Sequence, residues 1–291
     1  MRLLFCLCTL VGFASALIQQ GRNHAAARRP IKGLTLLYSS VPSDISSSSS
    51  TLVDLKTDLV RACNKASDTS SLNKPTINEI KMLVRDLEDK AELVGEGQSS
   101  STTGLISGEW ELIHSTQDVT RSSPFFWAFA QAFPDSVDQI FGITDAIPAP
   151  IKEIGPAYQT IELNESGVTT TGKLVSRVKV ATLNGIATSI MTTRADITGI
   201  SGVDGLSIRI ETTKPEDSTA LKTLGPLGTL LNDNLPAFPS GKTLEQVQPG
   251  SSTVIMRTTF CDDGLRISRN DAEYDDVFVW RRREFFGTED L

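Results

Sequence analysis

The chain has few of the residues that disulfide frameworks, metal centres and nucleophilic active sites require. Its 4 cysteines and 2 histidines in 291 residues are too few for a disulfide scaffold and exclude a metal site built from several histidines. The sequence also lacks Cys-x-x-Cys, His-Glu-x-x-His, the phosphate-binding Gly-x-x-x-x-Gly-Lys and a dinucleotide-binding fingerprint. We therefore predict a protein that uses no cofactor or metal and is not an enzyme.

Two of the cysteines, Cys63 and Cys261, lie outside the N-terminal apolar run and far apart in the sequence. This spacing favours free thiols in a reducing compartment. The alternative is that both act simply as small, half-buried apolar residues.

Acidic residues outnumber basic ones everywhere except at the N-terminus. Residues 1–43 contain five basic and no acidic residues, whereas residues 44–291 contain 23 basic and 35 acidic residues. A domain with this balance has no long-range attraction for nucleic acid or for an anionic bilayer. We therefore exclude a nucleic-acid partner and expect any membrane contact to be apolar and local.

The first 50 residues are typical of a targeting sequence. Residues 1–16 have the basic start, short apolar run and small-residue end of a secretory signal peptide, and the run is too short to span a bilayer comfortably. Residues 17–50 combine a basic, Ala- and Ser-containing transit peptide with a Ser-rich linker. Together they are similar to the two-part plastid (chloroplast) address of algae with secondary plastids. The alternative is secretion with a basic propeptide.

Apolar residues at helical spacing predict a helical pair over residues 51–94. Leu52, Leu55, Leu59 and Ala62 share one face of the first helix. Pro75 opens the second helix, where its missing N–H costs little. The pair is either a lid that packs on the main domain or a surface that binds a partner.

From Leu105 onward the pattern changes to short strands joined by tight turns. We predict eight of them, at about residues 106–115, 157–163, 168–183, 186–197, 206–211, 253–260, 265–269 and 277–282. Asn184-Gly185 is the strongest hairpin signal. Strands joined in this way are antiparallel, so residues 105–285 are predicted to be mainly β and to close as an up-and-down β-barrel. Eight strands leave an interior filled by side chains or enclosing one small ligand.

Two inserts interrupt the strands. The first holds five large aromatic residues and continues as a predicted short helix over residues 136–141; the aromatic residues are Phe125, Phe126, Trp127, Phe129 and Phe133. We interpret them either as an apolar lipid portal or membrane-contacting patch, or as a core helix that plugs the end of the barrel. The second insert, residues 215–250, is rich in Gly and Pro and is predicted to be loop with one helical turn near Thr219 to Leu224.

His114 is the one histidine after the targeting region. A Ser-His-Asp triad, or a cofactor-free isomerase or cyclase that pairs this residue with a carboxylate, would depend on it alone. Because His114 follows Ile113 in a predicted strand, a packed structural histidine is the favoured interpretation.

Near the C-terminus the charged residues Asp262, Asp263, Arg266, Arg269 and Asp271 form a dense cluster. One carboxylate would serve as general acid or base in a catalytic interpretation. The favoured interpretation is that the charges alternate along a hairpin and pair across it.

Gly108-Glu109-Trp110 opens the first strand and resembles the Gly-x-Trp motif of lipocalins. In that fold an arginine from a late strand stacks over the tryptophan and closes the narrow end of the barrel, and Arg266 or Arg269 is the candidate here. An arginine over an indole face contributes about 0.5–2 kcal/mol. Structural, barrel-closing roles are therefore expected for Gly108, Trp110, Arg266, Arg269 and Asp271.

Three segments resemble the plastid lipid-associated protein family, also called fibrillins or plastoglobulins. They are Gly108-x-Trp110-x-Leu112, Gln159-Thr160-Ile161 and the block from Leu265 to Trp280, within a resemblance that spans about residues 105–283. The last block is the specific part, since it combines Leu-Arg-Ile-Ser-Arg after a turn with the closing strand Val-Phe-Val-Trp.

The resemblance implies a lipocalin-like barrel that binds or organises apolar lipids, namely isoprenoids, quinones, carotenoids or glycerolipids. It also implies residence in the plastid, with peripheral contact to thylakoids or plastoglobules. The alternative is a non-enzymatic scaffold that docks on a protein partner, a photosynthetic or prenyl-lipid biosynthetic complex. Large inward side chains would favour the scaffold, and small ones that leave a cavity would favour the lipid carrier.

Overall fold

The computed structural model describes residues 51–67, 74–97, 104–135, 152–166, 169–182, 187–222, 225–226, 234, 236–272 and 275–283. These residues belong to one compact unit, Ser50–Leu291. The predicted targeting region, the predicted helix over residues 136–141 and the Asn184-Gly185 turn lie outside the described residues.

Among the described residues, two α-helices precede the sheet, as the apolar spacing predicts. Helix α1 spans Leu52–Ser67 and helix α2 spans Lys74–Val94. Thr51 and Asp54 cap the start of α1 reciprocally, because Thr51 N donates to Asp54 Oδ2 (3.0 Å) and Asp54 N donates to Thr51 Oγ1 (3.2 Å).

In the part of the chain that the structure describes, eight antiparallel strands form one sheet. They are β1 Gly108–Ser115, β2 Lys152–Ser166, β3 Thr169–Thr182, β4 Ala187–Ser201, β5 Gly205–Glu216, β6 Thr253–Cys261, β7 Leu265–Asn270 and β8 Phe278–Arg282. Each strand pairs with the next one along the chain, and β8 pairs with β1, so that the sheet closes into a ring. The predictions of a mainly β chain and of eight antiparallel strands are confirmed.

Alternate residues of each strand face the inside of this barrel, because successive side chains of a strand point to opposite faces. Trp110 on β1, Leu174 on β3 and Ile208 on β5 belong to one buried apolar cluster. Helix α3 (Pro124–Ala132) adds Trp127 and Phe129 to the same cluster. A helix from the first insert therefore occupies interior volume that the strands leave open.

The helical pair packs on the outside of the barrel. A second buried cluster joins Leu59 of α1 and Leu87 of α2 to Phe260, Ile267 and Val279 of β6, β7 and β8. Because this face of the three strands is apolar, it needs a cover, which α1 and α2 provide.

The second insert contains more helix than predicted. Helix α4 (Thr219–Lys222) matches the predicted turn, but α5 (Ser240–Val247) lies where only loop was expected. Leu244 of α5 joins the interior cluster, and Gly241 lies so close to the Ile210 carbonyl that a side chain would collide with it. Such tertiary contacts stabilise a short helix that its own sequence does not announce. None of the helices in the described ranges is long and apolar enough to span a membrane.

Candidate functional site

Trp110 contacts two arginine side chains. The indole is 0% exposed, and its Nε1 donates to Ile106 O at 2.9 Å. Arg266 Cζ lies 5.1 Å from the ring centroid, and Arg282 Cζ lies 4.3 Å from it. Both distances are within the range of a cation–π contact. The two arginines therefore fix the position of the indole at the end of the barrel where β1 begins and β8 ends.

Arg266 lies among aromatic and amide side chains. Its Cζ is 4.8 Å from the ring centroid of Trp280, and its Nη2 donates to Gln159 Oε1 at 2.6 Å. Gln159 in turn donates from Nε2 to the backbone oxygen of Ser122 at 3.0 Å. Hydrogen bonds across the interior thus connect β7 with β2 and with the short 3-10 helix, Val119–Ser122, that leads into α3.

The positive charge of Arg266 has no ion pair within the part of the chain that the structure describes. The side chain is 0% exposed, and its Nε and Nη1 have no hydrogen-bond partner there. Burial lowers the pKa of Arg266 to about 9, and the positive charge of Arg282 contributes to the lowering. A buried charge without a counter-charge is costly, so this guanidinium is the chemically most distinctive group of the interior.

A polar row continues from this group around the ring. Trp110 lies opposite Gln159, Gln159 lies opposite Ser176, and Ser176 lies opposite Thr193. Directly opposite residues of paired strands share a face, so the row faces the interior with Trp110. Ser176 is 1% exposed, and its Oγ has no hydrogen-bond partner in the described ranges.

Gly108 is required by the backbone and by a neighbouring arginine. Its φ is +138°, a conformation that L side chains rarely adopt. A Cβ at this position would collide with Nη1 of Arg282. Arg282 donates to the backbone oxygens of Ser107 (2.8 Å) and Asp263 (2.5 Å). The glycine of the Gly-x-Trp motif thus leaves room for an arginine that ties the start of β1 to the end of β8.

The structure separates the five residues expected to close the barrel. Gly108, Trp110 and Arg266 lie together, whereas Arg269 faces outward and pairs with Glu88 of α2. Asp271 Oδ1 lies 2.5 Å from Arg257 Nε on β6. Of the two arginines that the sequence offers as the partner of Trp110, the structure therefore places Arg266 over the indole.

Only part of the C-terminal charge cluster pairs across its hairpin. Asp271 does so through Arg257. Asp262 instead pairs with Lys56 of α1 (2.7 Å), and its Oδ1 accepts hydrogen bonds from the backbone N of Gly264 (2.8 Å) and Leu265 (2.7 Å). These contacts stabilise the β6–β7 turn and the docking of α1.

None of the aromatic side chains predicted as a lipid portal is exposed. They are buried or half-buried on α3 or at its end: Phe125, Phe126, Trp127, Phe129 and Phe133. Trp127 and Phe129 belong to the interior cluster, and the ring centroids of Trp127 and Phe278 are 5.8 Å apart. Two of the five aromatic residues of this segment therefore pack with the interior side chains of the strands.

His114 lies on the outer face of the barrel. A bulge between Leu112 and His114 shifts the register, and His114 lies opposite Val279, which belongs to the cluster beneath the helical pair. Burial lowers the pKa of His114 to about 4, and its Nε2 has no hydrogen-bond partner among the residues described. The imidazole is therefore packed, with Nε2 as its unsatisfied nitrogen among the residues described. A catalytic role inside the barrel does not fit this position.

The described ranges contain neither a metal site nor a disulfide. No group of three or more His, Cys, Asp or Glu side chains there is placed to hold a metal ion. Cys63 and Cys261 are both buried, and neither takes part in a disulfide. Burial raises the pKa of Cys63 to about 12 and that of Cys261 to about 11, so both are thiols rather than thiolates at neutral pH.

Sequence reasoning missed Arg282 and the polar roles of Gln159 and Ser176. The residue types are visible in the sequence, but their roles depend on strand register, which places Arg282 opposite Trp110 and Gln159 opposite Ser176. The site is therefore a buried arginine that has no ion pair among the described residues and that lies beside a row of polar side chains in a largely apolar and aromatic interior. No protein-family model, curated protein or solved structure matches the chain.

Proposed function

We propose that the chain is a plastid lipid-associated protein that binds or organises apolar lipids in a lipocalin-like barrel at thylakoids or plastoglobules. The observation that carries the proposal is a closed ring of eight antiparallel strands around an interior cluster of apolar and aromatic side chains. Each CH₂ of a lipid that enters such an interior contributes about 0.8 kcal/mol. An isoprenoid or acyl tail needs no polar recognition motif, in keeping with a sequence that contains none.

Small buried side chains next to α3 support the proposal. Small residues such as Ala157, Ser176 and Ala195 are buried on β2, β3 and β4, and the aromatic side chains of α3 lie in the same cluster as Ala195. Ser123, at the start of α3, donates to Thr193 Oγ1 over a long 3.4 Å. A lipid that displaces Trp127 and Phe129 would exchange one apolar contact for another.

One observation favours a scaffold as the second candidate. Trp110, Trp127 and Trp280 are each at most 5% exposed and belong to the interior cluster. Large inward side chains are what a barrel filled by its own residues requires. Such a barrel would act through its surface, by docking on a photosynthetic or prenyl-lipid biosynthetic complex.

The 3 tryptophans of the chain are a built-in probe, since all of them lie in the interior cluster. The full chain would be titrated with a short-chain plastoquinone analogue, which quenches indole fluorescence on contact. Saturable quenching at one quinone per chain is expected. A linear response equal to that of free N-acetyltryptophanamide would contradict the proposal.

Material from plastid membranes gives a second readout. The chain would be isolated under mild conditions and its lipids analysed by mass spectrometry. A pigment, quinone or glycerolipid in near-stoichiometric amount supports lipid binding. A lipid-free chain that elutes with a defined protein partner would instead favour the scaffold.

A further inference from the structure

The interior contains polar groups that the chain itself does not satisfy. Arg266 is 0% exposed and Ser176 is 1% exposed. In the described ranges Nε and Nη1 of Arg266 and Oγ of Ser176 have no hydrogen-bond partner. Gln159 connects them, because it accepts from Arg266 Nη2 (2.6 Å) and lies opposite Ser176 in the β2–β3 register. These groups therefore form one cluster on the inner face.

We propose that Arg266 and Ser176, connected by Gln159, bind the carboxylate of a single-chain amphiphile, such as a fatty acid, inside the barrel. This inference rests on the proposed lipid-binding function and names the polar end of the ligand. Nε and Nη1 of Arg266 offer N–H donors to the carboxylate oxygens, and the Ser176 hydroxyl offers another donor. A carboxylate also supplies the negative charge that the buried guanidinium lacks.

The charge of the cluster favours a carboxylate over a phosphate. Arg266 is the cation within the cluster, and one guanidinium balances one negative charge. The nearby Arg282 keeps its positive charge, but its N–H groups donate to the backbone oxygens of Ser107 and Asp263 and are not directed at the cluster. A neutral ester, alcohol or quinone oxygen would accept a hydrogen bond but would leave the buried charge uncompensated.

The residues next to Arg266 indicate where the apolar tail of the ligand would lie. On β8 the inward residue two positions before Trp280 is Phe278, whose ring contacts Trp127 of α3. A ligand whose carboxylate is held by Arg266 would thus extend its tail along Phe278 into the volume that α3 occupies. The carboxylate would thus lie near Trp110, and the tail would contact the apolar residues farther along the interior.

The experiment compares three ligands with the same chain and different head groups. Oleate, methyl oleate and oleyl alcohol would be titrated into the full chain at constant ionic strength, with tryptophan fluorescence as the readout because Trp280 lies 4.8 Å from Arg266 Cζ. Oleate is expected to bind at least about ten-fold tighter than the two neutral ligands, the usual effect of one charge-assisted hydrogen bond. Equal affinities overturn the proposal and leave the lipid-binding function standing. Binding of none of the three contradicts both.

Three variants test whether the preference for oleate depends on Arg266 and Ser176. In R266Q the advantage of oleate is expected to vanish, whereas in R281Q, which removes an outward arginine 49% exposed on β8, it is expected to remain. S176A removes a hydroxyl that has no partner among the described residues and is expected to weaken oleate several-fold. If R266Q fails to fold, the proposal is tested by the head-group comparison on the unchanged chain and by the affinity of S176A for oleate. An oleate preference that persists in folded R266Q, or that S176A leaves unchanged, overturns the proposal.

Discussion

Arg269 on β7 and Glu88 on α2 form an ion pair in which Nη2 of the arginine lies 2.9 and 2.8 Å from the two carboxylate oxygens. The residues are far apart in the sequence, and Arg269 is only 9% exposed. This ion pair lies where α1 and α2 cover the barrel. Its loss should therefore weaken the packing of α2 on the barrel.

Breaking this pair should loosen the helical pair from the barrel. Glu88→Gln removes the carboxylate charge beside a mostly buried arginine, and we expect the free energy of unfolding to fall by about 1–3 kcal/mol. The matched control is Asp58→Asn, which breaks the pair between Asp58 and Arg61 on α1, whose side chains are 49% and 71% exposed. Its effect should stay below about 0.5 kcal/mol. Denaturant unfolding measures both, and equal losses would contradict the docking role.

Gly108→Ala should destabilise the fold. The φ of +138° is unfavourable for alanine, and the new Cβ would collide with Arg282. We expect a loss of about 1–3 kcal/mol. Gly199→Ala is the control, because nothing lies within 4 Å of a Cβ there and its φ is not positive. A neutral G108A in thermal unfolding would show that Arg282 moves away at no cost.

Arg282 and Arg281 are neighbours with different roles. Arg282→Met removes hydrogen bonds to backbone oxygens and the contact with Trp110, and we expect it to cost about 1–3 kcal/mol. Arg281→Met breaks a pair with Glu111 whose arginine is 49% exposed, and it should cost less than about 1 kcal/mol. Urea titrations of the two variants give the comparison. A larger loss for R281M than for R282M would contradict our assignment.

His114 should make stability pH-dependent in mildly acidic solution. Its pKa in the folded chain is about 4, against 6.5 for the exposed group. The unfolded chain therefore binds more protons between these values, and stability falls as the pH drops from about 6.5 towards 4. The full effect is about 3 kcal/mol.

His114→Phe keeps an apolar ring in place without a titrating group. We expect the unfolding free energy of this variant to change less than that of the unchanged chain between pH 6.5 and pH 4. Carboxylates titrate in both proteins, so the difference between the two curves isolates the histidine. Superimposable curves would show that the imidazole is not buried in solution.

Several elements were predictable because their signals are local. Helices α1 and α2 follow from apolar residues three and four positions apart, and the eight strands follow from alternation and turn residues. The cluster around Trp110 was predictable only in part. Arg266 and Arg269 are three positions apart on one strand and so face opposite sides, but the sequence does not say which of them faces inward.

Composition and periodicity thus determined by themselves that this chain is mainly β, antiparallel and preceded by a helical pair. Tertiary structure alone decided that Arg266 contacts Trp110, that a bulge turns His114 towards the helices, and that α3 fills the interior. The physical reason is the separation along the chain over which each effect acts. Turn chemistry and side-chain period act within a few residues, whereas strand register and the closure of β8 on β1 are set by packing among residues far apart in the chain.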